Sequence, residues 1–213
     1  MLYKSIINAV GIVAAVMLAG CDGNSGVDPN PNPTVTKGTF VDSRDGKTYK
    51  KVTINAQTWM AENLNYAEEG SKCYEDSLPN CETYGRLYNW ATALTACPSG
   101  WHLPSDAEWT KLTDDVGGSS TAGMALKAKS GWNSYQGISG NGPDDYGFAA
   151  LPGGYGNSSG SFYDADGSGS WWSATEVGAI SAWCRNMYYN IQIVGRNAVG
   201  KTYLFSVRCV ADQ

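Results

Sequence analysis

No basic stripe runs through this chain. Asp, Glu, Lys and Arg make up only 16% of its 213 residues and the net charge is −5. The footprint needed to hold phosphates is missing, which excludes a nucleic-acid partner. Histidine is nearly absent, with His102 the sole example. It stands between Trp101 and Leu103 ahead of a helix start, where a packed, hydrogen-bonded role is expected over a general base. The sequence contains no HExxH pair, and the GxSxG match at 156–160 and the GxxxxGKT match at 195–202 are not read as a nucleophile elbow or P-loop, since no helical pattern follows either. No period of about 20 to 50 residues recurs, which excludes a repeat array. The most apolar run, 6–18, is interrupted by Asn8 and Gly11 and is short for a membrane span.

That run has a different use. Lys4 supplies a positive start, the apolar run follows, and Leu18-Ala19-Gly20-Cys21 resembles a bacterial lipobox. The expectation is a lipoprotein signal peptide over 1–20, with Cys21 carrying the lipid that anchors the protein to the membrane. Localisation follows as the bacterial cell envelope, at the outer membrane or cell surface. Residues 21–37 contain Asn-Pro repeats and little to bury, which reads as a flexible linker. The folded domain is expected over 38–213.

Glycine is abundant, at 26 residues, and tryptophan numbers 8. Many turns and little helical periodicity point to a loop-rich α+β or mostly β domain. Phe40-Val41, Asp45-Gly46 and Thr48-Tyr49 read as strand, turn and strand. Leu87, Trp90, Ala91 and Leu94 fall at i, i+3, i+4 and i+7 and predict a first main helix. Ser105 and Glu108 have capping-box spacing and predict a second, from Asp106 to about Val116, ended by Gly117-Gly118. A short helical turn is expected over 121–127. Beyond Gly131, β-like runs at 148–151, 171–175, 182–190 and 203–210 are separated by long loops, 131–146 and 152–170. Trp59, Trp90, Trp101 and Trp109 lie in patterned elements and are expected in the core.

Several motifs carry a resemblance: CPSGWHLPSDAEW (97–109), DDYGFAALPGGY (144–155), WWSATE (171–176) and FSVRCV (205–210). DGKTYKKVTINAQTWMAENLNY (45–66) and YGRLYNWATAL (84–94) extend it over roughly 38–210. In this order they resemble the Fibrobacter succinogenes major paralogous domain. That family of exported bacterial domains is similar to the C-type-lectin-like and formylglycine-generating-enzyme-like folds. The resemblance implies one α+β, C-type-lectin-like domain with two main helices, a twisted antiparallel sheet and long loops.

Five cysteines remain after Cys21, and an exported chain is expected to pair four of them. Cys73 and Cys81 share one polar loop and should bridge. Cys97 precedes the second helix and Cys209 ends the last strand; the resemblance implies a bridge between them. Cys184 is then left over, and a small buried strand residue is expected. Formylglycine-generating enzymes use a redox pair of cysteines, which this assignment does not supply. No catalytic residue is therefore expected, with an enzyme of that type, or another, as the alternative.

Asp164, Asp166 and Ser168, with Gly169 next, have the spacing of the front of a calcium loop, but its twelfth position is Thr175. Calcium at Asp164 and Asp166 stays open beside a Gly/Asp turn between strands, and no other cofactor is expected. Asn141, Asp144 and Asp145 form a second oxygen-rich loop. The Glu-Pro-Asn and Gln-Pro-Asp motifs of calcium-dependent sugar binding are absent. Trp132, Tyr135, Tyr155 and Tyr163 fall in Gly-rich loops and are the candidate ligand-binding residues. Exposed rings there would stack on sugar faces; folded back, they would form a small core. The expected function is a lipid-anchored, non-catalytic envelope module for binding or adhesion, with a polysaccharide or envelope glycan as partner. A purely structural envelope protein is the remaining alternative.

Overall fold

The computed structural model describes residues 33–213. The expected signal peptide, Cys21 and linker residues 21–32 lie outside the described residues. The sheet begins earlier than residue 38, because β1 (Val35–Val41) pairs along its whole length with β2 (Thr48–Ile54). Residues 35–37, expected in the linker, therefore belong to the domain. Gly46 sits at φ 75° in the turn between these strands, a conformation that costs glycine little.

β3 (Gln57–Met60) follows, then α1 (Leu78–Tyr84), β4 (Leu87–Tyr88), α2 (Trp90–Ala93) and β5 (Trp101–His102). α3 (Asp106–Asp115) and α4 (Ala122–Leu126) precede a run of strands. These are β6 (Ser134–Tyr135), β7 (Ile138–Ser139), β8 (Gly153–Gly156), β9 (Phe162–Ala165) and β10 (Ser168–Gly178). β11 (Ser181–Tyr188), β12 (Gly195–Gly200), β13 (Phe205–Ser206) and β14 (Val210–Ala211) complete the chain. The class is mixed α and β, with few helices and most of the order in open sheets.

The first sheet runs β1-β2-β3-β14-β5 and is antiparallel, so the last strand closes between β3 and β5. The second runs β12-β11-β10-β13-β4, with β8 on β10 and β9 on β8. β10 meets both β13 and β8 in parallel, so the expected single antiparallel sheet is instead two large sheets, one of them mixed, with β6 and β7 as a separate two-stranded pair.

The longest helix, α3, starts as its residues require. Ser105 Oγ accepts from the Glu108 amide while the Glu108 carboxylate accepts from the Ser105 amide, a complete capping box. Trp109 then drops into a core shared by both sheets, with Trp59 at 4.7 Å, Phe148 at 6.1 Å and Trp171 at 6.4 Å between ring centroids. Full burial of such a ring contributes about 1.5–3 kcal/mol.

The first main helix is not formed. Leu87 and Tyr88 pair instead with Ser206 and Phe205, and Asn89 caps the amide of Thr92, so only the single turn α2 remains. Long-range strand pairing overrides a local 3.6-residue period. The polar segment around Cys73 and Cys81 holds the short helix α1, which its composition does not advertise. The expected loop 152–170 is largely the β8–β9 hairpin, and 131–146 contains the small β6–β7 hairpin. The run 148–151 forms no strand, only a bridge from Ala150 to Lys127. Trp101 is half-buried and stacks on Phe40 at 4.3 Å.

Disulfides join Cys73 to Cys81 and Cys97 to Cys209, and Cys184 is free and buried. Three cations, Lys127, Arg185 and Arg208, are buried as well. Lys127 donates to the carbonyls of Tyr188 and Ile191, fixing the end of β11, and burial pulls its pKa down to about 8. Arg208 lies in the turn between β13 and β14 and is fully buried.

Candidate ligand cleft

Alternation along β10, β11 and β12 sorts their side chains onto two faces. The registers Ser168↔Tyr188, Ser170↔Asn186 and Trp172↔Cys184 place these six residues on one face. Cys184↔Asn197 and Ala182↔Val199 bring Asn197 and Val199 to the same side. The opposite face carries Arg185, whose guanidinium bonds the Asp106 carboxylate at 2.6 Å and locks the sheet to the start of α3.

The first face is not simply covered. Between it, the β8–β9 hairpin and the segment leading into β13 lies a cleft of about 340 Å³. Ser170, Asn186 and Asn197 contribute polar groups, Tyr155, Tyr188, Tyr203 and Phe205 contribute rings, and Asp164 stands among them. Tyr155 is central to the aromatic wall, 5.5 Å from Tyr163, 6.2 Å from Tyr203 and 6.1 Å from Phe205. Gly154, at φ 63°, lets the two strands of the hairpin close on each other, since a Cβ there would lie 2.4 Å from the Tyr163 carbonyl oxygen.

The polar groups form one directed network. Asn197 Nδ2 donates to Asn186 Oδ1 at 2.8 Å, and Asn186 Nδ2 donates to Ser170 Oγ at 2.7 Å. Each amide nitrogen keeps one N–H, and Ser170 keeps its O–H, so the floor presents neutral donors in fixed directions. The buried Ser168 hydroxyl, on the same face, has no hydrogen-bond partner among the described residues. Burial, followed by the nearby charge of Asp164, pushes Tyr155 above the ordinary phenol range; Tyr188 is raised by burial, then by Cys184 and Asp164. Both stay protonated and able to donate at neutral pH.

Of the four candidate ligand residues, Tyr155 lines this cleft and Tyr163 stacks against it. Tyr135 does not; it faces a separate depression with Met124, Ile138 and Tyr189. Trp132 is a correction. It is 5% exposed, its indole N–H donates to the Ala150 carbonyl, and Lys127 sits 4.8 Å over its ring. Asn141 Oδ1 accepts from the Trp132 amide and folds the loop inward, while Asp144 accepts from Ala149. The residues missed are Ser170, Asn186, Asn197, Tyr188, Tyr203 and Phe205. A signal for three of them existed: Ser170, Asn186 and Tyr188 are polar, and Asn186 and Tyr188 alternate with Met187 along β11.

Asp164 and Asp166 both have positive φ and make a tight turn between β9 and β10. Asp166 accepts from the Tyr84 hydroxyl and helps fix the hairpin, whereas Asp164 faces the cleft. Among the described residues no group of three or more His, Cys, Asp or Glu side chains is placed to hold a metal ion.

A larger depression, about 510 Å³, lies between Trp90 and the 157–160 loop. Trp90 is its one aromatic lining residue and is itself buried, so it lacks a wall to stack on. Cys184 lies within 3.3 Å of the Asn197 carbonyl oxygen, and burial pushes its thiol up to about 12. It has no thiolate character at neutral pH and no cysteine partner among the described residues.

His102 joins two carboxylates, with Nε2 2.8 Å from Glu108 and Nδ1 2.6 Å from Asp212. Both ring nitrogens are taken by carboxylates, and the nearby Ser105 hydroxyl bonds Glu108 instead. Burial works against the charged ring, but the bonds to Asp212 and Glu108 outweigh it and raise the pKa above 6.5. A raised histidine pKa stabilises the fold fully below the unfolded value and loses that contribution as pH rises through the folded value. His102→Asn should therefore cost more stability at about pH 5.5 than at about pH 8.5, read by urea unfolding at both. Equal costs at the two pH values would remove the charge from the account.

No curated protein and no solved structure matches this chain. The family model of the Fibrobacter succinogenes major domain matches residues 52–211, from β2 through β14 and so across the whole cleft, and the chain belongs to that family.

Proposed function

We propose that this protein is a lipid-anchored module of the bacterial cell envelope that binds glycan in the cleft between the β8–β9 hairpin and the face of β10, β11 and β12, without catalysing a reaction. The observation that carries the reading is the pairing of an aromatic wall with a neutral hydrogen-bonding floor. Sugar rings have apolar faces that stack on tyrosine and hydroxyl edges that need directed donors and acceptors. The buried, fully protonated Cys184 speaks for binding over thiol chemistry. The lipobox at Cys21 supplies the anchor, at the outer membrane or cell surface. A lectin-like architecture is part of the proposal. It is supported by the way the final strand β14 lies between β3 and β5 and by the Cys97–Cys209 bridge beside it.

Tyr203→Ala tests the site against a panel of envelope and plant-type polysaccharide fragments, with and without calcium. Affinity for whichever fragment binds should fall about tenfold, the loss of one stacked ring, with little change in melting temperature. Tyr135→Ala, on the other depression, should leave affinity unchanged. The reverse pattern would move the site to the β6–β7 hairpin, and no effect from either substitution would remove it from both places.

A further inference from the structure

The cleft holds one charge. Asp164 is the only ionised residue among the groups that line it, and no lysine or arginine does so. Asp164 is exposed, and among the described residues its carboxylate has neither an ion-pair partner nor a hydrogen bond. The other acid of the turn, Asp166, is occupied instead. Its carboxylate accepts from the Tyr84 hydroxyl, which leaves Asp164 as the free acid of the turn. The free carboxylate stands beside Tyr155 and Tyr188, and its charge contributes to the raised pKa of both phenols.

The geometry points to a cationic ligand: a glycan unit carrying a free amino group, of the glucosaminyl kind, with its ammonium between Asp164 and the tyrosine rings. This rests on the glycan reading of the same cleft and adds the class of sugar. An ammonium gains twice in such a place. It pairs with the carboxylate, and it lies against ring faces whose electron-rich surface attracts cations. The Asn186–Asn197–Ser170 network remains for the hydroxyl edge of the same ring. An N-acetylated or neutral sugar keeps the stacking and the floor but gains nothing from Asp164. An acidic sugar would face an unpaired carboxylate and is disfavoured. The direction of the effect follows from charge, and its size is that of a solvent-accessible pair.

The test is calorimetric titration of the full-length protein with glucosamine tetramer, N-acetylglucosamine tetramer and cellotetraose. The glucosamine tetramer should bind about fivefold more tightly than either neutral one, with the advantage shrinking as salt is added. In Asp164→Asn the ratio should collapse to about one, since only the charge is removed. Asparagine accepts the left-handed backbone at this position, so the turn should survive. Equal binding of the three oligomers by the unaltered protein overturns the inference and leaves the glycan reading intact. An advantage that persists in Asp164→Asn, or is indifferent to salt, places the cation elsewhere and also overturns it. Failure to bind any of the three counts against the glycan reading itself and takes this inference with it.

Discussion

Replacing both cysteines of the long bridge, Cys97→Ala with Cys209→Ala, should lower stability by close to 5 kcal/mol in the chain-entropy account, against about 2.5 kcal/mol for Cys73→Ala with Cys81→Ala. The two bridges span 112 and 8 residues, so the first restricts the unfolded chain far more than the second. It also acts where the sheet closes. Cys209 is buried next to Val210, which pairs with both Trp59 and His102, and the Cys209 carbonyl accepts from the Met60 amide. Double substitution avoids leaving a lone thiol to form new bridges. Guanidinium midpoints of the two variants decide the matter. A larger loss from the short bridge would show that native-state packing around α1, not chain entropy, sets the order.

Legibility in the sequence tracked the distance over which each signal acts. Ser105 and Glu108 are three residues apart, and the capping box they announce is complete. Asp45-Gly46 announces its hairpin equally locally, and Cys73 and Cys81 bridge within their own segment. The helical period through Leu87 and Leu94 failed because the decisive partners of Leu87 and Tyr88 are Ser206 and Phe205, more than a hundred positions away. Nothing in a short window could report them.

The aromatic residues divide the same way. Glycine around Trp132 and Tyr155 suggested exposed rings in both places. Trp132 turned inward because Asn141, Ala150 and Lys127 each hold part of it. Tyr155 stayed at the surface because its hairpin is propped over a sheet face carrying polar side chains. That face is assembled from β10, β11 and β12 by register alone, so its composition is visible only once the strands are paired. The buried cations are the extreme case. Lys127 bonds the carbonyls of Tyr188 and Ile191, and Arg208 bonds those of Phe148 and Ala149, and a carbonyl has no sequence signature at all.

Arg208→Ala should be among the most damaging single changes in the protein, lowering stability by about 3–5 kcal/mol through orphaned buried acceptors and the cavity left behind. The guanidinium is fully enclosed, and burial pulls its pKa down to about 9, so it is charged at neutral pH. It donates to the carbonyls of Phe148 and Ala149 and, at 2.9 Å, to Asn63 Oδ1, while lying 4.3 Å over the Phe148 ring. Asn63 carries the connection onward. Its Oδ1 also accepts from Trp171 on β10, and its Nδ2 donates to Tyr84 and Ser206, the residue after Phe205 of the cleft. One planar fork thus ties the 148–149 segment to the strand that bears Ser170. A lysine ammonium cannot reproduce that fork, so Arg208→Lys should recover little. Arg208→Met separates the two contributions, because it keeps much of the volume and still leaves the acceptors unpaired. If Arg208→Met unfolds at the wild-type urea midpoint, packing alone holds this junction. If it falls with Arg208→Ala, and glycan affinity falls in the folded fraction too, the hydrogen bonds of Arg208 are what keep the cleft in register.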